Sequence, residues 1–115
     1  MTIVGRLAKA IGLGGYKVVV TQSAGPSSYS TGGFSVTISE LSTVDYAVAQ
    51  AMNPGTAGYL AVVKSVSDNT VTVQVYEVNQ AVDEGGTATY TVTIKEVGAG
   101  TDLSGINFTV IAFGS

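Results

Sequence analysis

The chain has 115 residues, no histidine, no cysteine and only 11% charged residues with a net charge of −3, so it can build one domain but is poor in reactive side chains. The missing types are the side chain that titrates near neutral pH, the thiol nucleophile and the best zinc ligands, and without them most enzyme chemistry is excluded. Basic residues are confined to Arg6, Lys9, Lys17, Lys64 and Lys95, too few for the positive stripe that nucleic acid requires, and no apolar run approaches the ~18 residues of a membrane-spanning helix.

The apolar content of 45% is ordinary for a globular protein, whereas the charge is far below the ~25% of an average domain. Either hydroxyl groups keep this surface soluble, or partners cover much of it. Arg6 and Lys9 interrupt the apolar opening segment, which is therefore not expected to act as a secretory signal. Absence of cysteine fits folding in a reducing cytoplasm.

Ile3, Leu7 and Ile11, spaced by four, predict one face of a short helix that Gly12, Gly14 and Gly15 end. A helix this short must dock on the domain or on another chain. Arg6 and Lys9 are then either a solvated helix face or a basic arm for an acidic partner. Residues 1–15 are accordingly read as an arm or short helix and 16–115 as the domain.

From Tyr16 the apolar period drops to two. A strand over 16–22 carries Val18, Val19 and Val20, and the segment 23–33, dense in serine, glycine and proline, is a loop. Phe34, Val36 and Ile38 alternate with polar residues as one half-buried strand. After a corner at 40–43, Val44, Tyr46 and Val48 alternate as the next, closed by a turn at Asn53-Pro54-Gly55. The nearly unbroken apolar run from Tyr59 to Val66 predicts a central strand covered on both faces. It should form a hairpin with Val71, Val73 and Val75 around Ser67-Asp68-Asn69. Tyr76 and Val78 then fall out of phase, which predicts a β-bulge near Val75–Glu77.

A second turn at 83–86 leads to a strand with Tyr90, Val92 and Ile94 on one face. The last strand has Ile106, Phe108, Val110 and Ala112 on one face and Ile111 and Phe113 on the other, as expected of a strand that is central or pressed against a neighbouring subunit. About seven strands with turns every ~8–12 residues make an all-β fold, a single antiparallel β-sandwich or small barrel.

No constellation in the sequence supports catalysis, and the chain is read as a non-enzyme with no cofactor and no metal. The carboxylates Asp83 and Glu84 sit together in a glycine turn, Glu40 and Asp45 flank one corner, and Asp102 reads as a turn residue bonding nearby amides. No serine has a histidine to activate it, which leaves only the adjacent Lys64 and Ser65 to consider as a pair. Six tyrosines mostly fall at core-like positions, and Tyr29, in the long loop, is the best candidate for an exposed contact.

Three segments in order carry a resemblance: Ser27-Ser28-Tyr29-Ser30-Thr31-Gly32-Gly33 with the following Val36 to Asp45; the hairpin from Gly58 to Glu77; and Glu96 to Gly105 closing on Val110-Ile111-Ala112-Phe113-Gly114. Over residues 16–115 the chain resembles small head decoration, cement or minor capsid proteins of tailed bacteriophages, whose genes commonly lie beside that of the major capsid protein. It departs from that pattern at Ser30, where a proline is expected, and at Phe113, where an isoleucine is expected. The resemblance implies a viral structural protein, made in the host cytoplasm and placed on the capsid surface of the virion. It implies the major capsid protein as partner and a homo-oligomer, a trimer, with neither nucleic acid nor membrane bound. On that reading Ile3, Arg6, Leu7, Lys9 and Ile11 are the candidate capsid contacts. The alternative is a virion fibre or receptor-binding β-sandwich module that recognises cell-surface glycan through Tyr29 and the loop 23–33.

Overall fold

The computed structural model describes residues 17–52, 58–83 and 89–115. The predicted helix, and with it the candidate contacts Ile3, Arg6, Leu7, Lys9 and Ile11, lies outside the described residues. The strands are β1 (Lys17–Ala24), β2 (Phe34–Thr37), β3 (Val44–Met52), β4 (Tyr59–Ser67), β5 (Thr70–Asp83), β6 (Thr89–Glu96) and β7 (Asn107–Gly114). They form two antiparallel sheets, one ordered β1-β7-β3 and the other β2-β5-β4 with β6 also paired to β5.

Every strand but β6 turns one set of alternate residues inward. Phe108, Val110 and Ala112 of β7 and Ala47 and Ala51 of β3 meet Val71, Val73 and Val75 of β5 and Ala61 of β4. Phe34 packs edge-on to Phe108 with ring centroids 5.1 Å apart. Ile38, Leu41, Val97, Leu103 and Ile106 close the ends of this layer from the connecting segments. β7 is the central strand of its sheet, between β1 and β3, one of the two positions expected for it, while Ile111 and Phe113 on its outer face are only partly buried.

The corner between β2 and β3 is tied to the β4–β5 turn. The Ile38 amide donates to the Asn69 carbonyl at 2.8 Å and the Val44 amide to the Asp68 carbonyl at 2.7 Å. Asp68 holds a left-handed φ of 52°, a conformation that a short polar side chain tolerates better than a branched one.

Two expectations need correction. The apolar run of β4 is not a central strand, because β4 is the edge of its sheet and Leu60, Val62 and Val66 are exposed. Nor is there a bulge in β5 at Val75–Glu77, where the pairs Ala61↔Val75, Leu60↔Tyr76 and Tyr59↔Glu77 run without interruption. The irregularity lies across the ladder in β4, between Val63 and Ser65. The phase change in β5 has another origin. Up to Val75 its inward face is core, and from Asn79 onward it pairs with β6 alone as a two-stranded arm. On the arm the apolar residues occupy the opposite, outer face.

Candidate interaction surface

The loop before β2 shows how Tyr29 is used. β2 pairs with β5 as far as Val73 and β6 begins its pairing at Tyr76, both along the same edge, so Val75 falls in a gap between two strands. Its carbonyl accepts from the Val97 amide at 2.9 Å. Its amide donates to the Tyr29 hydroxyl oxygen at 3.2 Å, and that hydroxyl donates in turn to Glu96 Oε2 at 2.7 Å. The same carboxylate oxygen accepts from the Gly32 amide at 2.8 Å. Tyr29 also exchanges backbone bonds with the segment after β6, its amide donating to the Thr101 carbonyl and its carbonyl accepting from Gly100.

Tyr29 is therefore 1% exposed, and its expected role as an exposed loop contact is corrected: the hydroxyl fills a gap in a β-ladder. Burial, and to a lesser degree the Glu96 carboxylate, push its pKa up to about 12, against the opposing effect of the Val75 amide. The Glu96 carboxyl is held below its ordinary range chiefly by the Tyr29 hydroxyl, then by the Gly32 amide, with Lys64 adding attraction. Gly33 closes this loop at a φ of 117°, and a Cβ there would lie 2.5 Å from the Val73 carbonyl oxygen, so the position requires glycine.

Two further carboxylates act locally. Asp102 accepts from the Ser104 amide at 2.9 Å and its hydroxyl at 2.6 Å, the turn role expected from the sequence, and these bonds hold its carboxyl below the ordinary range. Glu40 accepts from the Ser39 hydroxyl. Among the described residues no group of three or more acidic side chains gathers where a metal ion could be held.

What the fold does present is apolar surface. On the outer face of β1-β7-β3 the register aligns Val18, Phe113 and Tyr46 in one row and Val20, Ile111 and Val48 in the next. Gln22, Thr109 and Gln50 follow as a polar row. Val20 is 63% exposed, and Tyr46 and Phe113 rings lie 5.9 Å apart on this surface. No residue in these rows is charged.

A second apolar stripe crosses the outer face of the other sheet. Val62 and Leu60 of β4, Val78 of β5 and Ile94 and Val92 of β6 share that face, with Val92 61% exposed. The opposite side of the arm is polar, with Glu77 opposite Lys95 and Asn79 opposite Thr93.

Between β3 and β4 the two sheets approach with no ladder connecting them. Ala47, Ala49 and Ala61 are small enough to leave an open groove of about 430 Å³ there, walled also by Val48, Val62 and Val63. Its lining is mostly apolar, and it continues onto the first face through Tyr46 and Val48.

Ile111 and Phe113 stand out in the sequence, whereas the neighbours that make them a surface do not. Their signal was the Val18–Val20 run, which alternation alone cannot assign to a covered or an open face. Comparison with protein-family models, with curated proteins and with solved structures finds nothing that matches this chain.

Proposed function

We propose that this chain is a structural protein of a tailed-bacteriophage virion, a decoration or cement protein that binds the assembled head and stabilises it as a homo-oligomer spanning capsomers. The observation that carries this reading is the charge-free apolar outer face of β1-β7-β3. A monomer that worked alone would leave that face in water, whereas apolar faces of this kind mark interaction sites. The ordered motifs within residues 16–115 that resemble head proteins supply the identity of the shell as partner.

Stabilisation follows from mass action. A protein that binds the closed lattice and not its free subunits shifts the equilibrium toward the lattice. Repeated weak contacts from one oligomer then add as avidity. The arm at residues 1–15 is proposed to grip the shell, with Arg6 and Lys9 meeting carboxylates and Ile3, Leu7 and Ile11 filling an apolar groove.

Co-sedimentation with empty heads assembled from the major capsid protein of the same phage tests both parts. The full chain is expected to pellet with heads and not with unassembled capsid protein. Deleting residues 1–13 is expected to release it, and unchanged binding would refute the arm. The glycan-binding alternative loses the residue it rested on, since the Tyr29 ring and hydroxyl are buried.

A further inference from the structure

Two apolar surfaces on this molecule have no partner within the described residues, and they lie on opposite sides of the sandwich. One is the outer face of β1-β7-β3, the other the stripe of Leu60, Val62, Val78, Ile94 and Val92 over β4, β5 and β6. We infer that copies of this chain associate head to tail, the stripe on one copy lying against the β1-β7-β3 face of the next.

Three features select this arrangement. The first is the arm, a two-stranded ribbon beyond Asn79, which is marginal in water unless something packs on it. Its polar side, with Glu77 opposite Lys95, belongs in solvent, so the Val78–Ile94–Val92 side is the one to be covered.

The second is charge. The apolar rows of the β1-β7-β3 face carry no charged side chain, and on the stripe's face Glu96, in the row Leu60–Tyr76–Glu96, is already bonded to Tyr29 and Gly32. Two copies of a chain with net charge −3 can meet there without bringing like charges together.

The third is area and symmetry. Strands of 8 residues in a three-stranded sheet give a face of about 26 by 14 Å, on the order of 350 Å². A two-fold pair through that face would bury roughly 700 Å² and leave the stripe bare; one head-to-tail contact buries no more, but in a closed ring each copy makes two such contacts, roughly 1,400 Å² in all, past the ~1,000 Å² of a specific interface. Head-to-tail contact covers both surfaces on every copy, and a closed ring holds each copy from two sides.

This deepens the oligomer part of the proposed function, and it is tested without any shell. Sedimentation velocity of the full chain is expected to show an assembly of three or more copies. Val20→Glu damages the face and Val92→Glu the stripe, both at exposed positions where circular dichroism and thermal unfolding report an intact fold. Each variant is expected to associate about 100-fold more weakly than the parent and to run as a monomer. An equimolar mixture of the two at high concentration is expected to give 1:1 dimers and nothing larger, because one chain keeps its stripe and the other its face. A monomeric or dimeric parent overturns the inference, as does Val92→Glu assembling as well as the parent or a mixture that stays monomeric. A parent that assembles in this way but does not pellet with heads keeps the inference and refutes the capsid reading.

Discussion

Replacing Tyr29 by Phe removes one oxygen atom from a buried junction, and the consequence can be worked through. The ring stays, so the packing contribution is nearly unchanged. The Val75 amide loses its acceptor at a residue with no exposed surface, in a gap that neither β2 nor β6 can reach across. Water cannot take the hydroxyl's place without opening the loop, because Tyr29 itself is 1% exposed. An orphaned buried donor costs about 1–3 kcal/mol, and a mid-range figure of about 2 kcal/mol is appropriate here. At ~2.1 cal/mol/K per residue the unfolding entropy of a chain this size is about 0.24 kcal/mol/K, so the midpoint should fall by about 8 °C. Assembly would mask part of the shift, and the comparison is therefore made in the Val20→Glu background, which the face model makes monomeric. Urea unfolding should show the same loss with an unchanged slope. Amide exchange should accelerate at Val75 while Val71 and Val73 keep their protection. A midpoint within ~2 °C of the parent would refute the ladder-gap account, since a loss below about 0.5 kcal/mol is what an ordinary surface substitution gives.

Four further outcomes follow from the same geometry. Glu96 and Asp102 have folded pKa values below their ordinary 4.5 and 3.8, so each contributes stability that is present above those values and is lost as pH falls through the lower folded ones. The melting temperature should therefore drop on acidification below about pH 4.5, and Glu96→Gln should flatten the Glu96 part of that drop. Tyr29 is shifted the other way, from 10.0 to about 12, so its contribution is complete below pH 10 and disappears as pH rises toward 12; Tyr29→Phe should be less alkali-sensitive than its parent. Gly33→Ala places a Cβ against the Val73 carbonyl at a left-handed φ and should cost about 2 kcal/mol in urea unfolding. Ala49→Val fills part of the groove beside β4 and should be neutral to stabilising by up to about 1 kcal/mol, whereas a loss beyond that would mean the groove is already filled by a closer approach of β3 and β4.

Alternation was enough to find β2, β3, β5, β6 and β7, because a half-buried strand must place its apolar residues two apart, whereas β1 and β4 stood out as apolar runs. It also pointed to β7 as central or covered by a neighbouring subunit, and β7 runs between β1 and β3 with Ile111 and Phe113 on the outer face. It failed at β4 for a related reason. An apolar residue facing outward reads like one facing a second layer, and whether Leu60 and Val62 are covered depends on neighbours far away in sequence. The out-of-phase Tyr76 and Val78 were visible, yet a bulge and a strand that outruns its sandwich leave the same trace in one dimension. Tyr29 was illegible in a deeper way. Its surroundings, serines and glycines on both sides, are those of an exposed loop, and the ladder gap it fills is created by β2 stopping at Val73 and β6 starting at Tyr76.

The distribution of charge connects these faces to function. A free β-sheet protein protects itself by placing charges where another sheet would stack and along open edges. Of the described acids, Glu40, Asp68 and Asp102 lie outside the strands, Glu96 is bonded to Tyr29 and Gly32, and Asp45, Glu77 and Asp83 lie in β3 and β5 away from the outer rows of β1, β7 and β3. The paired outer rows of β1, β7 and β3 carry none. β1 is an edge strand with a single charged residue, Lys17, at its first position. Surfaces left undefended in this way are an aggregation hazard for a monomer and an advantage only where a neighbour covers them. In the proposed assembly two properties are tied together: the contact that covers Val18, Val20, Tyr46 and Val48 is the one that removes this hazard, and a charge introduced among them should improve the solubility of the single chain while abolishing that assembly.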